Sequence, residues 1–304
     1  MSDFSARRVV LAGASGLIGR ALAESLRGDG VEVHTLVRRA PQHPTEHAWD
    51  PYRGPLDPAV LAGASAVVAL NGASIGHLPW TPRYRSELVW SRLTPTRVLA
   101  EAVAHAEGTP AFVSASATGF YGAFPGETVD ERSPGGAGFL ADLCREWEST
   151  AERASAGGSR VALLRTAPVV HPEGVLKPLI ALTRAGVAGP LSSGRQVWPW
   201  ISLDDEVRAI RHVIDHEIAG PVNLTGPTRA TQNDLGFAVA MRLQKPYLVR
   251  APKLGLKLLL GRTFADDVLL TDAHVVPAVL NETGFTFRHP TVSDAVSAAI
   301  PARD

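Results

Sequence analysis

The chain has 304 residues, 30 Lys and Arg against 30 Asp and Glu, 10 His and 1 Cys. A formal charge of zero excludes the net basic face of a general nucleic-acid binder, and one cysteine excludes an internal disulfide framework or a Cys-rich zinc centre. No run approaches the roughly 18 continuous apolar residues of a membrane span. The polar stretch Met1 to Arg8 has no apolar signal-peptide core, so the expected setting is the cytoplasm, with no nucleic-acid or membrane partner.

In chain order, Arg8 to Ala12 reads as a buried strand ending at Gly13. The spacing of Ile18, Leu22 and Leu26 predicts a helix over Leu17 to Leu26, stopped by Gly28 and Gly30. Val31 to Val37, Ala66 to Leu70, Ala111 to Ser114 and Val161 to Leu164 are the next strands. Helical stretches at Arg85 to Ala106 and Phe139 to Ala154 lie between them, and Pro95 should break or kink the first. Past Pro168 come Gly/Pro-rich loops around Gly186 to Pro199, a helix at Asp204 to His216 and a strand at Pro221 to Leu224. Thr231 and Asp234 then form a capping box that opens another helix. Beyond Pro246 the tail is a separate element. Its apolar run Leu254 to Leu260 is too short for a membrane-surface helix and is expected to pack against the main domain.

Near-continuously apolar strands alternating with helices indicate a parallel sheet covered on both faces. Gly13, Gly16 and Gly19 stand between the first strand and first helix, together with Ser15, Leu17 and Ile18. Glycine is needed there because side chains would keep backbone N–H groups from a pyrophosphate at the helix N-terminus. The expected fold is therefore a Rossmann-type doubly wound α/β sheet with a smaller substrate-side region and a C-terminal helical element. Residues 1–245 form the dinucleotide-binding domain, with substrate-side segments at about 168–200 and 226–245, and 246–304 form a small C-terminal domain. The second strand ends Val37-Arg38-Arg39 where an NAD-selective fold places an acid. Arg38 suits a ribose 2′-phosphate, with Arg39 as helper, which favours NADP(H) over NAD(H).

These residues resemble the epimerase/dehydratase-like branch of the short-chain dehydrogenase/reductases, and more narrowly an atypical subgroup that ends in a small domain of unknown function. The resemblance runs nearly end to end. Beside the glycine loop it rests on Trp49-Asp50-Pro51, Trp80, Ser91-Arg92, Ser116 to Gly122, Trp147-Glu148, Leu164-Arg165-Thr166, Gly194-Arg195-Gln196, Trp200-Ile201, Asp204-Asp205 and Gly284-Phe285 to Pro290. It implies cofactor contacts at the glycine loop, at Val37 and Arg38, at Leu70, Asn71 and Gly72, on the helix carrying Glu87 and Arg92, and at Val169. The family's Asn-Leu-Ala-Gly-Glu reads here Ala69-Leu70-Asn71-Gly72-Ala73, so the Asn has moved two places and the acid is missing.

Carbonyl reduction needs an acid for the developing alkoxide. The resemblance implies a Tyr, a Lys four residues later and a Ser. Ser116 fills the Ser position, but Phe139 and Leu143 stand where the phenol and amine belong. Tyr121 is the substitute, read either as the acid or as a residue that packs and shapes the pocket. Asp130 and Glu131 read as a solvated acidic turn. Thr118, Arg195, Gln196 and Trp200 are candidates for the substrate floor, Arg for an anionic group and Trp for stacking. His212 and His216 are four apart on one helix without a third ligand, and Cys144 reads as a small buried residue, so no metal site is expected. The expected partner is a small molecule, a nucleotide sugar or small carbonyl. The rival reading is a catalytically silent NADPH-binding redox sensor or regulatory protein. Nothing in the residues specifies an oligomeric state.

Overall fold

A computed structural model describes residues 7–301. The segment 1–6, most of the stretch read above for a signal peptide, lies outside the described residues. The first half alternates β1 (Arg8–Ala12), α1 (Leu17–Gly28), β2 (Glu32–Val37), β3 (Glu46–Ala48), β4 (Ala64–Ala69), α2 (Pro82–Ala104), β5 (Ala111–Ala117), β6 (Phe124–Val129), α3 (Phe139–Glu152) and β7 (Val161–Thr166). Then come β8 (Val169–Val170), α4 (Leu176–Arg184), β9 (Ile201–Ser202), α5 (Leu203–Asp215), β10 (Gly220–Leu224) and α6 (Gln232–Arg242). The tail holds α7 (Lys253–Leu260), α8 (Arg262–Phe264), β11 (Ala273–Val275), α9 (Ala278–Glu282) and α10 (Val292–Ala299).

Seven strands form one parallel sheet in the order β10-β7-β5-β4-β1-β2-β3. Strand order reverses between β1 and β4, which opens the ligand crevice of such sheets at the carboxyl end of β1. Both faces are covered, so β1 splits by parity. Val9 and Leu11 pack with Leu22 of α1 and Ile210 of α5, whereas Val10 and Ala12 pack with Leu99 of α2 and Ala151 of α3.

A third core joins Val170, Trp198 and Trp200 to Leu235 and Val239 of α6 and to Val292 and Val296 of α10. The segments read as substrate-side thus share one interior with the end of the tail. Leu280 of α9 reaches into the core under α1 and α5.

Three local expectations are corrected. α2 runs through Pro95 without a break. Pro95 is buried beside Thr96, which accepts a 2.8 Å bond from the Trp147 indole N–H, and packing there outweighs the roughly 3 kcal/mol that an interior proline costs. Glu131 is a buried carboxylate that accepts N–H bonds from Asn223 and Val279, not a solvated turn. In α7 only Leu256 is buried, and Leu254, Leu258 and Leu259 stay exposed. The strands β3, β8, β9 and β11 are two or three residues each and too short to carry a period in the sequence.

Asp205 fastens the tail. Its buried carboxylate accepts the backbone N–H groups of Arg288 (2.8 Å) and His289 (3.0 Å), the Ser202 hydroxyl (3.0 Å) and the Arg208 guanidinium (3.1 Å). With Asp204 paired to Arg288, the carboxylate and imidazole atoms of Asp204, Asp205 and His289 that lie near one another are already engaged. Asp205→Ala would leave the Arg288 and His289 N–H groups without their acceptor, while Arg208 would keep its bond to the Thr286 carbonyl. Urea denaturation should show a loss of about 3 kcal/mol, and limited proteolysis should cut residues 284–299 first.

Candidate functional site

The glycine loop forms a cradle that only glycine permits. Gly13 has φ +83°, and a Cβ there would lie 2.7 Å from the Leu70 carbonyl; one on Gly19 would lie 2.2 Å from the Gly13 oxygen. The loop is therefore pressed against the end of β4, with Gly16 N–H bonded to the Gly13 carbonyl at 3.0 Å. Ser15 and Gly16 are exposed, Leu17 and Ile18 half-buried, and the first turn of α1 carries no acid. The first N–H groups of a helix have no intrahelical acceptor, and an exposed helix start of this kind is the local geometry that binds a phosphate anion. At the end of β4, the buried Oδ1 of Asn71 has no hydrogen-bond partner among the described residues. An orphaned acceptor beside a glycine cradle fits a nucleotide with hydroxyl donors.

The adenosine side is more selective. Val37 is half-buried, and Arg38 is exposed with no hydrogen bond or ion pair among the described residues. Arg39 does not stand free as a helper: both of its terminal nitrogens are bonded to Glu46 of β3, at 2.7 and 2.6 Å. Glu87 is exposed near Tyr52 and Tyr84. Arg92 is buried and spans from α2 to the loop after β4, donating to the carbonyls of Leu88 and Ala73 at 3.0 Å and lying close against Gly72, where a Cβ would be 3.1 Å from its guanidinium carbon. Its guanidinium thus shapes the Asn71-Gly72 edge. Val169 lies half-buried in β8, paired with Ile201.

The two residues expected to do chemistry are locked into a buried network. Ser116 Oγ donates to Glu148 Oε1 at 2.6 Å, and Glu148 is paired to Arg165 through Nε (2.9 Å) and Nη2 (2.8 Å). Arg165 Nη1 donates to the Tyr121 hydroxyl at 2.9 Å, and that hydroxyl donates to Asn223 Oδ1 at 2.7 Å. Tyr121 is fully buried, and burial pushes its phenol up to about 12. A phenol with its proton committed to Asn223 is a packing element, and of the two readings of Tyr121 the geometry favours this one. Glu148 and Asn223 were missed by sequence reasoning. The available signal is an acid within the stripe Ala141, Cys144, Glu148 and Ala151, which must be paired if that stripe is buried.

The stripe also corrects the register of α3. Leu140 and Cys144 lie against Gly119, and Ser116 is bonded to Glu148 one turn further on. Leu140 and Cys144, rather than Phe139 and Leu143, therefore face the end of β5. Neither offers a proton, since burial pushes the Cys144 thiol up to about 12. Phe139 instead packs edge-on to Trp80 at 5.7 Å, and Trp80 packs edge-on to Phe264 of the tail at 5.3 Å. The tail also supplies Asp267, whose carboxylate accepts the Leu140 N–H at 3.2 Å and is raised above its ordinary range by burial.

The proposed substrate floor is only partly assembled. Thr118 is buried beneath the loop, and Arg195 is exposed. Gln196 and Trp200 are structural: Gln196 Nε2 donates to the Leu191 and Leu269 carbonyls, each at 3.1 Å, and the Trp200 indole donates to Thr228 while its ring covers Gly226. His212 bonds Thr283 and lies against His216, the two rings tilted with centroids 3.9 Å apart.

Tyr121→Phe would strip partners from Asn223 and Arg165. It should cost about 1–3 kcal/mol in chemical denaturation while leaving nucleotide affinity unchanged. A second prediction concerns Glu206, buried beneath Thr166 with one oxygen bonded at 2.8 Å and the other unpartnered. Burial raises its pKa to about 8. The folded protein holds this proton where the unfolded chain releases it, so the Glu206 contribution to stability is full below its unfolded value of 4.5 and is lost as pH rises through about 8. Glu206→Gln should flatten that decline in melting temperatures measured across the same range.

The sequence profile of the NAD dependent epimerase/dehydratase family matches residues 9–225, and a Domain of unknown function (DUF1731) matches residues 251–299. An epimerase family protein of Mycobacterium tuberculosis (strain CDC 1551 / Oshkosh) is 40% identical over 293 residues, 96% of this chain and 97% of that protein. The crystal structure of human epimerase family protein SDR39U1 (isoform2) with NADPH superposes with a TM-score of 0.87 at 26% identity, covering 96% of this chain and 99% of that one. The nucleoside-diphosphate sugar epimerase from Corynebacterium glutamicum gives 0.80 at 31% identity, covering 98% of this chain and 59% of that one. With this profile, these relatives and the glycine cradle in agreement, the chain belongs to the NAD-dependent epimerase/dehydratase family and has its NAD(P)-binding fold.

Proposed function

We propose that this protein binds NADP(H) in preference to NAD(H) and uses it in oxidoreductase or epimerase-like chemistry on a nucleotide sugar or small carbonyl compound. The observation that carries the reading is Arg38, exposed at the end of β2 with no ion-pair partner among the described residues, beside a glycine cradle and with no acid on that strand end to claim a ribose 2′-hydroxyl. The N–H groups of Gly13 to Gly19 would hold the pyrophosphate, Arg38 the 2′-phosphate, and Asn71 Oδ1 a hydroxyl. A bound nicotinamide would supply or accept a hydride. The human relative crystallised with NADPH supports the cofactor, and the Corynebacterium relative supports the nucleotide-sugar class.

One observation favours a second reading, an NADPH-binding sensor without turnover. The α3 face toward Ser116 presents Leu140 and Cys144, and the Tyr121 proton is committed to Asn223. Parallel titration with NADPH and NADH, followed by tryptophan fluorescence, tests the shared part. NADPH should bind tightly and NADH weakly, and Arg38→Ala should weaken NADPH by about tenfold or more while leaving NADH unchanged. Equal binding of the two, or none, would overturn the assignment. Incubation with nucleotide sugars and small carbonyls, followed by nicotinamide absorbance and by chromatography of the products, then separates the readings: net oxidation or reduction, or a redox-neutral epimerised product, supports the enzyme, and tight binding with neither supports the sensor.

A further inference from the structure

The chain is neutral as a whole, yet Lys245, Arg250, Lys253, Lys257 and Arg262 occur between 245 and 262 with no Asp or Glu among them. The same stretch contains the most exposed leucines of the described residues: Leu248 is 81% exposed, Leu254 69%, Leu258 76% and Leu259 84%. A helix on a protein surface ordinarily turns its apolar sector inward. α7 does the reverse.

At 3.6 residues per turn Leu254 and Leu258 share one side of α7, Leu256 lies opposite, and Leu259 lies on the flank between them, exposed. Leu256 is the buried anchor, and Phe264, packed edge-on to Trp80, fixes the turn that follows. The approach to α7 is equally firm. Leu248 and Val249 both donate their N–H groups to the Ala188 carbonyl, and Ala251 donates to Pro190, so the side chains of Leu248 and Val249 project from a held backbone. Of the five cations, Lys257 is shared with Asp266 at 2.7 Å, and Arg250 donates to the Ser192 carbonyl. Lys245, Lys253 and Arg262 are exposed without an acidic partner among the described residues.

We propose that residues 245–262 form a docking surface for an anionic lipid bilayer, with Leu248, Val249, Leu254, Leu258 and Leu259 entering the interface and the cations meeting lipid phosphates. The argument is charge complementarity joined to an outward apolar sector: a negatively charged membrane surface satisfies both features at once. None of the described helices is long and apolar enough to cross a membrane, so the contact is a surface one. It runs against the expectation of no membrane partner, which supposed that the leucine run packs against the main domain. The glycine cradle and Arg38 lie outside this surface, so the proposal stands apart from the cofactor reading.

The test is flotation of the full chain with vesicles of phosphatidylcholine alone and of equal parts phosphatidylcholine and phosphatidylglycerol. The protein should float with the mixed vesicles only and be released as salt is raised. Leu258→Glu/Leu259→Glu should weaken the mixed-vesicle association by about tenfold or more. Lys245→Glu/Lys253→Glu should weaken it as well, and both variants should keep the wild-type circular dichroism spectrum and melting temperature as the check that they fold. Three results would overturn the proposal: no flotation of the wild type with mixed vesicles, equal flotation with both compositions, or unchanged flotation of the leucine variant. A wild type that elutes from gel filtration as a larger species than the leucine variant, with neither floating, would assign the patch to a contact between copies of the chain.

Discussion

A buried ion pair governs the heart of this molecule. Glu148 on α3 and Arg165 on β7 are both shielded from water, and two desolvated charges persist only if each finds its partner and fills its remaining hydrogen-bond capacity. Arg165 does so through Glu148, the Tyr121 hydroxyl and the face of Phe120, 3.5 Å from its guanidinium carbon. Glu148 does so through Arg165 and Ser116. The pair thereby fixes the carboxyl ends of β5 and β7 and the turn carrying Phe120 and Tyr121. Polar groups that could have faced a substrate are spent on holding the crevice in shape.

The tail is joined to the sheet domain by a recurring device, a carboxylate that accepts backbone N–H groups across the boundary. Asp205 takes those of Arg288 and His289, Glu131 takes that of Val279 at the start of α9, and Asp267 of the tail takes that of Leu140 at the start of α3. Two of the three sit at helix N-termini, where the helix dipole adds to the bond. Asp267 matters for the site because it brings the tail to the turn of α3 nearest Gly119. The wall of the crevice is thus built by two parts of the chain far apart in sequence.

The doubly wound half was legible because its signals are local. After Arg8, β1 is apolar since both sheet faces are covered, and the Gly13 to Gly19 spacing is imposed by contacts a Cβ would violate. Thr231 and Asp234 announced α6 through a capping box that the structure contains. Other features left no local mark. The two-residue strands β8 and β9 exist only because they pair with each other, and α2 survives Pro95 only because its neighbours pack around it.

The sequence by itself determined the fold class, the nucleotide cradle, the basic end of β2 and the lack of a phenol–amine pair on α3. Each is a matter of residue type within a few positions, so chain geometry alone suffices. Only the tertiary structure decided that Ser116 and Tyr121 are consumed by Glu148, Arg165 and Asn223, that Arg39 belongs to Glu46, that Gln196 and Trp200 brace loops, and that α7 turns its leucines outward. The physical reason is common to all four. A polar or apolar side chain has the same composition whether it faces a cavity, a partner or solvent, and which of these it meets is set by residues distant in sequence.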